Sequence, residues 1–310
     1  MNIYDLHCDA LLKLYEDRTR SFKNSPDLEV NAERIREGQI KMQFFAIFIE
    51  PDTPSDIMFD AALQQIDLFH TEVLSQSDDI VKITSWHQLK DLKSHQTGAV
   101  LTLEGADAFG NDFSKWRILK ELGVMSLGVT WNQANLCCDG IGESRGGGLT
   151  DFGKEIVAFN NRHGLLTDVS HISLAGFEDV LDLADFPIAT HSNAYSLCSH
   201  RRNLRDEQLD RLIEKGALIG VVFNPPFIDE QDEATIPALI RHIDYICKRG
   251  GSKLISFGSD FDGIASYVKD LDHAGAYQNL ITELLKSYSQ DEVEGFAWKN
   301  AHRFLTSINH

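Results

Sequence analysis

The sequence predicts an α/β fold, a closed (β/α)8 barrel of the TIM type, and three observations carry that expectation. Eight short apolar stretches recur along the 310 residues, at 3–8, 42–48, 99–104, 125–130, 165–169, 187–191, 218–223 and 254–258. Several are continuous and β-branched, as in GAVLTLE and GALIGVVF, the pattern of parallel strands buried on both faces. Helical periodicity fills most of the gaps between them. The competitor is an open doubly wound sheet, but the phosphate loops GxGxxG and GxxxxGK[ST] that often accompany it are absent.

The helices follow in order. DIMFDAALQQIDLFHTEVLSQ (56–76), TDFGKEIVAFNNRHG (150–164), ISLAGFEDVLDLA (172–184), RDEQLDRLIEKG (205–216) and TIPALIRHIDYICKRGG (235–251) carry apolar residues three and four apart. Glycine ends several of them, where a C-cap belongs. GESRGGG at 142–148 lacks a strand-to-helix setting and reads as a flexible loop, with 137–148 and 21–38 as segments able to close over a site. The tail SQDEVEGFAWKNAHRFLTSIN reads as a capped helix over 290–308 that packs on the outside or bottom of the barrel through Phe296, Phe304 and Leu305. No repeat, low-complexity tract or linker interrupts the chain, so 1–310 is expected to form one barrel domain.

Charge narrows the function. With 29 Lys and Arg against 47 Asp and Glu the formal charge is −18, which argues against nucleic-acid binding because a polyanion would be repelled. The N-terminus carries acids and a histidine where an export signal would be basic and then apolar. No segment approaches the ~20 apolar residues of a membrane span, KMQFFAIFIE at 41–50 coming nearest. A cytoplasmic protein without membrane contact is expected. Five cysteines without a CxxC suggest reduced thiols.

Several predicted strands end in a group able to bind metal or move a proton, and the strand ends of a parallel barrel converge on its C-terminal face. DLHCD ends the first stretch with His7 and Asp9; LTLEGAD places Glu104, LLTDVSH His171, PIATH His191 and ISFGSDFDG Asp260. His7 and Asp9, two apart on an extended chain, share a face, while Cys8 between them points into the wall. Burying this many ionisable groups is costly unless they are paired or hold metal. Imidazoles with carboxylates suit Zn2+ or a similar divalent transition ion. A mononuclear three-histidine site could be assembled, but the donor count favours two ions, with Glu104 placed to bridge them.

These residues resemble the membrane dipeptidase (renal dipeptidase) family of zinc peptidases, peptidase family M19 of the amidohydrolase-like, metal-dependent hydrolase barrels. DLHCD (5–9), LEGAD (103–107), GLLTDVSHIS (164–173), THSNAYSLCSHRRN (190–203) and FGSDFDG (257–263) carry the resemblance, which spans nearly the whole chain. It implies two Zn2+ ions, one on His7 and Asp9, the other on His171 and His191, bridged by Glu104. Arg202 would hold the substrate's terminal carboxylate, and Asp260 would face its amino end and carry the proton during hydrolysis by a hydroxide between the ions. Asp262 would be a turn or supporting carboxylate. The chain departs from the family at SLGVTWNQAN, where Trp131 stands in place of a histidine held to polarise the scissile carbonyl; Trp131, Asn132 or the metal would take over, or Trp131 would only wall the substrate pocket.

The expected function is therefore a metal-dependent dipeptidase, with tolerance of a D-residue at the C-terminal position and a homodimeric state implied by the family. The alternatives are a dinuclear hydrolase of another amide, lactone or phosphoester, and a non-catalytic metal-containing binding protein.

Overall fold

The computed structural model describes residues 1–229 and 234–308; the last two residues of the expected domain and Asn309 of the predicted tail lie outside them. All strand pairings are parallel. Nine strands are formed among the described residues: β1 (Ile3–Asp5), β2 (Ile40–Phe48), β3 (Ile80–Ile83), β4 (Thr97–Glu104), β5 (Val124–Gly128), β6 (Leu166–Asp168), β7 (Pro187–Ala189), β8 (Leu218–Val221) and β9 (Ile255–Phe257). Eight of them close a barrel, because β2 pairs with both β1 and β4 and β9 returns to β1. These are the eight apolar stretches of the sequence. Their side chains are buried almost throughout, which is why they run apolar without alternation.

The ninth strand was not legible. β3 pairs Ile80–Ile83 with Thr97–Val100 on the edge of β4 that β5 takes over at Leu101. It extends the sheet below the barrel and is too short, with Lys82 in its middle, to give an apolar run.

Helices surround the barrel: α1 (Ala10–Glu16), α2 (Ala32–Gly38), α3 (Met58–Leu68), α4 (Phe113–Glu121), α5 (Asp151–Arg162), α6 (Leu174–Leu183), α7 (Asp206–Lys215), α8 (Ile236–Lys248), α9 (Tyr277–Leu284), α10 (Gln290–Glu294) and α11 (Asn300–Leu305). Caps set their limits where the sequence places them. Thr150, Ser173 and Thr235 each accept a backbone N–H of the first turn, and Gly216 ends α7 at φ 71°. The predicted helix 56–76 is α3 followed by one wide turn and one tight turn, and the predicted tail helix is likewise α10 and α11 joined by a wide turn. That tail lies at the barrel base. Asn300 donates to Ser252 O and Ile255 O at the start of β9, and Phe296 and Leu305 are buried, whereas Phe304 is only partly so.

The segment 142–148 is tied down. Arg145 pairs with Asp139, Gly147 N donates to the same carboxylate at 2.6 Å, and Ile141 N and Gly142 N bond to His171 O and Asn132 O, both at 2.8 Å. The expectation of a flexible loop gives way to a pinned wall, because Gly142 lets the chain pass close to Asn132 and Gly147 and Gly148 let it pass close to Asp139 and Asp179. The cysteines are free thiols, as the sequence suggests. No helix among the described residues is long and apolar enough to cross a membrane.

Candidate metal centre and substrate cleft

The predicted donors converge at the C-terminal ends of the strands. β1 stops at Asp5, so His7 and Asp9 stand beyond it, Asp9 at the start of α1; their side chains nevertheless meet, His7 Nε2 lying 3.4 Å from Asp9 Oδ2. Glu104, the last residue of β4, sits between two groups. Its Oε2 is 3.7 Å from His7 Nε2, while its Oε1 is 2.9 Å from His171 Nε2 and 3.6 Å from His191 Nε2. His7, Asp9 and Glu104 form one cluster of donor atoms, and Glu104, His171 and His191 another. Asp260 Oδ1 lies 3.8 Å from His7 Nε2 and belongs to a third cluster with His7 and His191.

The hydrogen bonds behind the histidines decide what they can hold. Asn132 Oδ1 accepts from His171 Nδ1 at 3.0 Å. Thr190 Oγ1 accepts from His191 Nδ1 at 2.8 Å and donates onward to Asp168. With both Nδ1 atoms protonated, both Nε2 atoms are bare lone pairs, and they face each other at 2.8 Å. Two acceptors at that distance repel unless cations lie against them, and the Arg202 guanidinium reaches only the His171 nitrogen, at 3.1 Å. His7 Nε2 and Asp9 Oδ1 are buried without a hydrogen-bond partner. The donor set and these orphaned atoms fit divalent transition ions of the zinc type.

Burial, assisted by the charge of Arg202, pushes His171 well below the ordinary imidazole range; burial followed by His7 does the same to His191. Burial also acts on His7, but Glu104, Asp9 and Asp260 outweigh it and hold that imidazole up at about 10. Burial raises Glu104 and Asp260 above the usual carboxylate range. One histidine embedded in carboxylates and two bare ones beside an arginine form an asymmetric pair of sites.

Arg202 is 5% exposed. Its guanidinium donates to Ser170 O and His191 O and approaches His171 Nε2 at 3.1 Å, which leaves the buried Nε without a partner. Burial lowers it to about 10. Asp260 holds a left-handed φ of 65°, a strained conformation for a side-chain-bearing residue. Gly263 beside it leaves room for Asp9, since a Cβ there would come within 2.2 Å of Asp9 Oδ2. Asp262 turns away from the donors and accepts Glu29 N and Val30 N at 2.8 and 2.9 Å, tying the 21–38 segment to the end of β9.

Trp131 is a wall of the site. Its ring lies 5.2 Å from Phe48 and 5.9 Å from His171, and its indole N–H makes no hydrogen bond among the described residues. A cavity of about 460 Å³ opens between Trp131, Asp9, Glu104, Arg202, Phe227 and Asp260. Sequence reasoning missed the supports. Asp5 accepts Ser259 N at 2.9 Å and Ser259 Oγ at 2.7 Å, locking β1 to the loop that carries Asp260. Asp168 and Thr190 orient His191, and Phe227 lies under Arg202 at 5.5 Å. The TD of LLTDVSH and the T of PIATH were inside quoted motifs, but their role depends on strands meeting.

The chain matches the family model of the membrane dipeptidases (peptidase family M19) over residues 1–310. It belongs to that family. It is a hydrolase, a metallodipeptidase. Among curated relatives, dipeptidase aclJ of Aspergillus oryzae is 33% identical over 298 residues, covering 91% of this chain and 70% of the relative. Dipeptidase tcpJ of Claviceps purpurea is 29% identical, covering 93% and 71%. A metallo peptidase from Rhodobacter sphaeroides, solved with a phosphinate mimic of the dipeptide L-Ala-D-Ala, superimposes with a TM-score of 0.92 at 24% identity over 100% of this chain and 99% of that one. Dipeptidase AC, a family M19 metallo peptidase, gives 0.91 at 25% identity over 99% and 98%.

Proposed function

We propose that the chain is a dinuclear zinc dipeptidase that cleaves free dipeptides held between Arg202 and Asp260. The observation that carries this reading is Glu104, whose two carboxylate oxygens face two separate imidazole groups, one of which presents paired bare Nε2 atoms 2.8 Å apart. His7 and Asp9 would hold one ion, His171 and His191 the other, and Glu104 both. Bound there, the ions supply a water acidified from 15.7 to about 7 and Lewis-acid stabilisation of the developing oxyanion.

The chain's own groups do the rest. The Arg202 guanidinium, planar and permanently charged, receives the substrate's terminal carboxylate, its Nε–H being a donor that the protein leaves without a partner. Asp260 Oδ1, at the mouth of the donor cluster, takes the proton of the attacking water and returns it to the leaving amine. The same carboxylate faces the substrate's ammonium end. Trp131 walls the cleft in place of the family histidine, and its indole N–H is a donor available to the scissile carbonyl. Two charged anchors at a fixed separation measure length, so dipeptides fit and longer or blocked peptides do not. The family resemblance and the phosphinate-bound Rhodobacter structure support acceptance of a D-residue at the carboxyl side.

The test is a zinc-loaded preparation given L,L- and L,D-dipeptides, tripeptides and N-blocked dipeptides, followed by mass spectrometry alongside elemental analysis. Loss of unblocked dipeptides alone, with two ions per chain, is expected. Survival of every dipeptide at full metal loading would overturn the reading.

A further inference from the structure

We propose that the cleft continues past Arg202 into a second lobe that receives an acidic side chain on the carboxyl-side residue, so that the preferred substrates are dipeptides ending in aspartate or glutamate. This rests on the dipeptidase reading above.

A second cavity of about 370 Å³ adjoins the first, sharing Trp131, Asn132, Arg202 and Phe227 as a common wall. Beyond that wall it is lined by Gln133, Gly142, Glu143, His200 and Arg201. Its far side is built by the pinned segment, where Gly140 N bonds to Gln133 O at 3.1 Å and Gly142 N to Asn132 O at 2.8 Å.

The two lobes differ in charge. The first carries Asp9, Glu16, Glu50, Glu104, Asp260 and Asp262 against Lys13 and Arg202. The second carries Arg201 and Arg202 against Glu143 alone, and Glu143 Oε1 already accepts Ala134 N at 3.1 Å. Arg201 is exposed and forms no ion pair among the described residues. His200 lies flat on Phe227, ring centroids 4.3 Å apart, and its Nδ1 accepts Arg202 N at 3.3 Å, so the neutral ring carries its proton on Nε2 as a donor. In a chain of net charge −18 this is a positively charged recess beside the substrate site. If Arg202 holds the α-carboxylate, the side chain of that same residue is the part of the substrate nearest the second lobe, and a carboxylate there meets Arg201 and the His200 N–H.

The experiment compares kcat/KM for alanyl-glutamate with alanyl-glutamine, and alanyl-aspartate with alanyl-asparagine, isosteric pairs that differ in charge. The acids are expected to win by about two- to fivefold at low ionic strength, the worth of one partly exposed charge pair, with the ratio falling toward unity as salt approaches about 1 M. Arg201→Gln should abolish the ratio, Arg201→Lys should retain most of it, and Arg201→Glu should turn it in favour of the neutral substrates. Equal rates on acid and amide in the native chain, or a ratio untouched by Arg201→Gln, would overturn the second lobe while leaving the dipeptidase reading in place. Absence of turnover on every dipeptide would overturn both.

Discussion

Replacing Thr190 by valine removes one hydroxyl and leaves the shape of the site nearly unchanged. In the native chain that hydroxyl accepts the His191 Nδ1 proton at 2.8 Å and donates to Asp168, so His191 is held with Nε2 bare. In Thr190→Val the imidazole can move its proton to Nε2 and donate it to His171 Nε2, 2.8 Å away. Asp168 meanwhile keeps three donors, Ser170 N, Ser170 Oγ and Thr190 N, the last being backbone and present in the variant. All three reach Oδ1, however, so Oδ2 gives up its hydroxyl donor, and the metal-free protein loses about 1.5–3 kcal/mol, the range for a hydrogen bond to a carboxylate. Metal binding suffers a separate loss. To hold an ion the ring must return its proton to Nδ1 and bury it without an acceptor, at a cost of about 1–3 kcal/mol, in line with the ~10- to 100-fold affinity losses typical of groups that orient metal ligands. Chelator-competition titration of zinc, beside urea unfolding of the metal-free chains, separates the two effects. Thr190→Ser should restore affinity because it keeps the hydroxyl. Native-like zinc affinity in Thr190→Val, or equal weakening in Thr190→Ser, would refute the argument that this hydroxyl sets the His191 tautomer.

Three further outcomes are expected. Asp260→Asn should keep both ions by elemental analysis yet lose about 10²- to 10⁴-fold in kcat, the range for a positioned proton carrier; undiminished turnover would remove Asp260 from that role. Gly263→Ala would drive a Cβ to 2.2 Å from Asp9 Oδ2, so the carboxylate must swing away and metal content should fall from two ions toward one, whereas full loading would show that the loop yields instead. His242 is buried and neutral, accepting Ala194 N on Nδ1 at 3.1 Å and donating from Nε2 to Ile228 O at 3.0 Å, and burial lowers it below its ordinary value of 6.5. The unfolded chain thus takes up this proton first, and the contribution to stability, complete above pH 6.5, is lost as pH falls from there toward the lowered folded value. Melting curves of the native chain and His242→Gln should converge as pH drops from 8 to about 5; a constant gap between them would exclude the titration.

The barrel strands were legible because burial on both faces imposes an unbroken apolar run, as in Thr97–Glu104 and Leu218–Val221. β3 escaped because a short strand on an outer edge, with Lys82 half-exposed, has no such requirement. α4 escaped too, since only Trp116 and Leu119 are buried in FSKWRILKE and the apolar stripe is thin. The flexible reading of 142–148 failed for a related reason: Gly142 allows close approach to Asn132, and Asp139, Arg145 and the backbone of His171 then hold the segment. Composition alone could not distinguish those two uses of glycine.

The donors themselves were readable. His7, Asp9, Glu104, His171, His191 and Asp260 follow strand stretches, and parallel strands leave one place for their ends to meet. What the sequence by itself determined is therefore the set of groups and the face on which they gather, because both follow from local periodicity and from the single direction of the strands. The tertiary structure alone decided which oxygen of Glu104 faces which imidazole, that Thr190 and Asn132 leave two Nε2 atoms bare, that Asp262 ties down a distant segment, and that a positively charged recess lies beyond Arg202. Apart from Thr190 and its neighbour His191, those relations join residues tens to hundreds of positions apart, and no periodicity along the chain encodes a distance across it.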